Sequence, residues 1–168
     1  MVPKNSFIPV DNNQQREEWE SAGGGSCGPA CIAVLIGLSV KEAIDKFPQY
    51  RGHASCKDMR TILISNGYEV KMKNGRRQNH IEIANNHVAI ARIQWVGTEF
   101  GPYHGYKHWV KATMNTHYIL INDFHFFCND VGWLPLDKLQ DYLKEGKGYI
   151  TSYLEIKNKS LNTSETKA

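Results

Sequence analysis

The run Ala30–Leu38 is uncharged, mostly apolar and entered through Cys27-Gly28-Pro29, and it most constrains what this chain can fold into. A helix that is apolar on every side has to be buried, so the rest of the chain must supply a surface to cover it. Pro29 suits the first helical turn, where its missing N–H costs nothing and its φ is already set. Gly23-Gly24-Gly25 upstream makes a loop free of Cβ constraints. Cys27 therefore stands where a loop feeds a helix N-terminus. The unpaired N–H groups and positive dipole end there favour a thiolate over a thiol, as a nucleophilic cysteine requires. Cys31, one turn on, reads as a small core residue.

At 168 residues the chain fits one domain with a real core. A net charge of +3, with no dense basic run beyond Arg76-Arg77, argues against nucleic acid as partner. No apolar run is long enough to span a bilayer, so no membrane partner is expected. Residues 1–10 lack the pattern of a signal peptide. The expected location is cytoplasmic, or outside the cell as an effector released without a cleaved signal. Four widely spaced cysteines do not make a disulfide scaffold. His53/Cys56 and His104/His108 each offer two metal ligands where a closed zinc site takes four. No metal and no other cofactor is expected.

The elements follow in order. Residues 1–19 form a polar N-terminal extension with a short helix over Gln15–Glu20, and 20–156 form the domain. Ser39 and Glu42 have the spacing of a capping box for a second helix ending near Phe47-Pro48. Ser55 and Asp58 open a third, with Met59, Ile62 and Leu63 on one face, stopped by Asn66-Gly67. Tyr68–Met72 reads as a strand, Lys71–Arg77 as a solvated connection and Asn79–Ala84 as a short helical turn. His87–Trp95, His108–Ala112, His117–Asp123 and Tyr149–Ile156 read as strands. Gly97–Gly105 is a glycine- and aromatic-rich loop. Leu136–Lys144 is amphipathic and helical, and residues 157–168 form a polar, disordered tail. Helices first and strands second, without βαβ alternation, is an α+β pattern.

A thiol nucleophile needs an imidazole to take its proton and a third group to orient that ring. Of seven histidines, His108 is best placed, at a strand start directly after a glycine-rich loop. If 108–113 and 118–123 pair antiparallel across the loop Met114–His117, Val110 faces Ile121 and His108 faces Asp123. Directly opposed side chains lie about 4.5–5.5 Å apart at Cβ. A slip of one residue puts Asn122 there instead, and an asparagine also orients a histidine in papain-type sites.

Cys27-Gly28-Pro29-Ala30-Cys31 before an apolar helix resembles the nucleophile motif of the bacteriocin-processing (double-glycine leader) peptidases, a branch of the papain-like cysteine peptidases. His108-Trp109-Val110 and Ile119-Leu120-Ile121-Asn122-Asp123-Phe124 resemble that family's later strands. The similarity covers roughly residues 20–155. It implies Cys27 as nucleophile, His108 as general base and acid, and Asp123 as orienter. The implied fold has an N-terminal helical lobe and a C-terminal antiparallel sheet lobe with the site between. The family usually has a glutamine for the oxyanion hole where this chain has Ser21. Gln15 is the first choice for that role and Ser21 the second. No transporter or ATPase segment accompanies the motif, so a stand-alone domain is expected. The reaction expected is cleavage of a peptide or protein through an acyl-enzyme, with substrate held by the loops at Gly24, Gly25 and Tyr106. The alternatives are a glutamine deamidase or transamidase, and a catalytically silent peptide-binding module.

Overall fold

In the computed structural model, which describes residues 27–48, 50, 54–78, 81–84, 86–95, 116–122, 124–129, 132–145 and 147–158, the apolar run is the helix α1 (Cys27–Ile36). Every residue from Gly28 to Leu35 is buried, as a helix without a polar face must be. Gly37, at φ 85°, ends it, and the Gly37 and Leu38 N–H groups both bond the Ala33 carbonyl. The capping box then starts α2 (Val40–Asp45): Ser39 Oγ accepts from Glu42 N at 3.0 Å and Glu42 Oε1 from Ser39 N at 3.1 Å. Ser55 Oγ, accepting from Asp58 N, caps α3 (Cys56–Ser65), which buries Met59, Ile62 and Leu63 and stops before Gly67 at φ 89°.

Six antiparallel strands form one sheet among the described residues: β1 (Tyr68–Gln78), β2 (Val88–Trp95), β3 (Thr116–Ile121), β4 (His125–Cys128), β5 (Gly132–Pro135) and β6 (Gly148–Asn158). Their spatial order is β1-β6-β2-β3-β4-β5. A 3₁₀ turn (Leu136–Lys138) and α4 (Leu139–Glu145) link β5 to β6. Helices α1 to α3 pack on one face of the sheet against Val70, Val88, Ile90, Tyr118, Leu120, Phe127, Leu154 and Ile156. Helix α4 packs on the other, where Leu139, Tyr142 and Leu143 meet Ala89, Ala91, Ile93, Ile119, Ile121 and Phe126. The helical first half and the sheet therefore share one core, and no described helix is long and apolar enough to cross a membrane.

Three local expectations change. Lys71–Arg77 is not a connection: β1 continues to Gln78 because β6 offers a partner, pairing Lys71 with Glu155 and Lys73 with Tyr153. Lysines suit such an edge strand, since they discourage pairing with another chain. Residues 81–84 form no helical turn, and the Ala84 N–H instead bonds Glu155 Oε2 at 3.2 Å. Strand β6 continues through Lys157 and Asn158, opposite Glu69 and Tyr68, past the point where a tail is expected. The expected strand at 108–112 lies outside the described residues.

Candidate active site around Cys27

Gly28 allows α1 to begin where it does. A Cβ on it would lie 2.6 Å from the Ala54 Cβ, 3.5 Å from Met59 Sδ and 3.6 Å from Tyr118 Cδ2. The first turn of α1 is thus pressed against the entry to α3 and the face of β3, with Cys27 half-buried at the edge of that contact. None of the four cysteines is in a disulfide. Cys31 is 1% exposed, and burial pushes its thiol well up, reinforced by Cys27 and Cys128.

Tyr118 is the sheet residue facing this turn. Its hydroxyl donates to the Ala54 carbonyl at 2.9 Å and lies 3.7 Å from the sulfur of Cys56, the first residue of α3. Burial drives the Tyr118 pKa up, with Cys56 and Cys27 adding to the effect and Arg92 opposing it, so the phenol is neutral. Arg92 stands opposite Tyr118 across β2 and β3. Its Nη1 donates to Thr151 Oγ1 at 3.0 Å, and that hydroxyl donates to the Arg92 carbonyl at 3.2 Å.

Two of the described histidines, His87 and His117, are engaged away from Cys27. His117 points to the α4 side, with Nε2 3.2 Å from Cys128 Sγ and its ring stacked on Trp95 at 6.5 Å. His87 Nδ1 pairs with Glu155 at 2.6 Å. His125 meets the edge of Trp133.

Asp123 and the segment 108–113 expected opposite 118–123 lie outside the described residues. A strand has two edges, and Ile121 uses one on Ala89 of β2 and the other on Phe126 of β4. Ile119 and Ile121 also point to the α4 side, not to Cys27. The Asn122 Oδ1 accepts from Phe124 N at 2.9 Å and His125 N at 2.7 Å, closing the β3–β4 turn. That turn lies beyond Ile121, while Cys27 neighbours Tyr118 further back along β3.

A residue not singled out from sequence is Asn129, which follows β4 in the turn to β5, where Cys128 pairs with Gly132. The Asn129 Oδ1 is buried and accepts no hydrogen bond among the described residues.

No protein-family model matches the chain, and no curated protein matches it. One solved structure that it resembles is described as a double glycine motif protease from an AMS/PCAT transporter in complex with the leader peptide. The similarity has a TM-score of 0.50 at 12% identity, over 81% of this chain and 86% of that one. The fold resembles a protease. At that identity the likeness is one of architecture, a mixed helix and antiparallel-sheet arrangement.

Of the residues expected in the site, the structure describes Cys27 and places it at the start of α1. His108, Asp123, Gln15, Ser21, Gly24, Gly25 and Tyr106 lie outside the described residues.

Proposed function

We propose that this chain is a cysteine peptidase acting on a peptide or protein through Cys27. The observation that carries the reading is the seating of Cys27 at the N-terminus of the buried helix α1, held by the Gly28 contact, in a fold similar to a protease bound to a peptide. The helix N-terminus stabilises negative charge on the sulfur. His108 is the proposed base: it takes the Cys27 proton as the sulfur attacks the scissile carbonyl carbon, then gives it to the departing amine. Water, deprotonated by the same imidazole, cleaves the resulting thioester and restores the thiol. The engagement of His87 and His117 elsewhere supports that choice. Asp123 is the proposed orienter of the ring, with Asn129, whose buried side-chain oxygen accepts no hydrogen bond among the described residues, as the alternative. The Cys27 N–H and Gln15, with Ser21 as alternative, are the proposed oxyanion donors. Gly24, Gly25 and Tyr106 are the proposed substrate loops.

The test is digestion of a peptide library read by mass spectrometry, beside labelling with a peptidyl vinyl sulfone. Cleavage and labelling by the natural chain, both lost in Cys27→Ser, are expected. A chain that does neither is not a peptidase.

A further inference from the structure

Resting on the peptidase reading, we infer that Arg92 makes the Cys27 site selective for substrates carrying a carboxylate beside the bond that is cut. Arg92 lies on β2, the strand between β6 and β3, half-buried. The β2 residues Val88 and Ile90 belong to the core under α1, whereas Ala89, Ala91 and Ile93 face α4. Alternation along the strand therefore puts Arg92 on the Cys27 face. There it stands directly opposite Tyr118, whose ring would meet a Cβ on Gly28 at 3.6 Å.

Two features set this arginine apart from a structural one. The ion pairs among the described residues are Lys73–Glu155, His87–Glu155 and Lys157–Glu69, and Arg92 joins none of them. A guanidinium carries five donors, and a half-buried one without an acid is costly unless something else takes them up. One goes to the Thr151 hydroxyl, a neutral partner. The second feature is the backbone beneath it. Arg92 pairs with Ser152 and Ile93 with Ile150, so Thr151 is an extra residue bulged out of β6. Bulges re-aim side chains and are common beside active sites. Here the bulged residue is the one that grips Arg92 from both ends, through side chain and carbonyl. The result is an oriented planar fork, the donor geometry that matches a carboxylate. The anion is either an acidic side chain or a free main-chain terminus, since both present the same two oxygens.

Alkylation of Cys27 tests this on the full chain without requiring turnover. Anionic iodoacetate and neutral iodoacetamide are compared by peptide mapping, each rate divided by the rate with glutathione. The normalised preference for iodoacetate is expected to be roughly five- to tenfold. It should fall toward one with added salt and in Arg92→Gln, and survive in Arg92→Lys. Should Arg92→Gln fail to fold, Thr151→Val, which releases the guanidinium, is expected to lower the preference instead. N-acetylglycine and N-acetylglutamic acid α-amide then separate the sources by which of them protects Cys27. Equal rates with both reagents, a preference indifferent to Arg92 and Thr151, or protection by neither acid overturns the role of Arg92. Cys27 inert to both reagents overturns the peptidase reading itself.

Discussion

At the scale of single residues, the four cysteines fall into two buried and two half-buried. Cys31 and Cys128 are buried, whereas Cys27 and Cys56 each head a helix at the rim of the core, and the Cys56 sulfur lies against the Tyr118 hydroxyl. An ordinary thiol, with a pKa near 8.5, reacts slowly at pH 6. A brief iodoacetamide pulse at that pH is therefore expected to label Cys27 first, read by peptide mapping; equal labelling of all four removes it as nucleophile. Asp123 carries the second residue-scale prediction. If its carboxylate holds the imidazole, Asp123→Asn should lower kcat by one to several powers of ten, on the scale of losing the correct tautomer. It should also move the pH profile of Cys27 alkylation, whereas Asn129→Ala should leave both nearly unchanged. The opposite ranking, with unfolding midpoints matched, passes the orienting role to Asn129.

At the scale of elements, the contact between α1 and the entry to α3 places the site. A methyl group on Gly28 would stand 2.6 Å from the Ala54 Cβ, closer than carbon atoms approach without displacement. Gly28→Ala is expected to cost about 1–3 kcal/mol, the usual penalty for overpacking, and to depress Cys27 reactivity as the helix start moves. Ala54→Gly removes the opposing methyl, so the double variant should recover part of both losses. A double-mutant cycle on urea midpoints measures that coupling, and strict additivity means the two elements do not press on one another.

At the scale of the whole molecule, Glu155 on β6 joins three separate parts. Its 7% exposed carboxylate binds Lys73 of β1, His87 before β2 and the Ala84 N–H. Burial alone raises its pKa, but the bonds from Lys73, His87 and Ala84 outweigh that and bring it to about 2, below the ordinary 4.5. A depressed carboxylate stabilises the fold above its unfolded pKa and loses that contribution as pH falls through the folded value. On the order of 3 kcal/mol should therefore be present above about pH 4.5 and disappear toward pH 2. Glu155→Gln should lower the unfolding midpoint at pH 7 and flatten its dependence on pH across that window. An unchanged acid limb shows that another group controls acid unfolding.

What the sequence determined by itself is what short stretches of chain decide. Ser39 with Glu42, Ser55 with Asp58, and Gly67 act within one helical turn, so the helix starts and stops were legible before any fold was known. The apolar run of α1 likewise demanded burial, and Cys27 followed from its place at the head of that run. Strand partners are another matter, because a strand's neighbours are chosen by residues far away in the chain. Lys71–Arg77 looks like a solvated connection until β6 lies beside it, and Thr116–Ile121 accepts β2 and β4 as partners with no local signal naming either. That choice decided which face each residue serves. It turned His117 toward α4, tied Asn122 into a turn, and left Arg92 on the side of Cys27. Only the tertiary structure makes these assignments, since exchanging a strand's partner or its register by one residue reverses the side on which its chemistry appears.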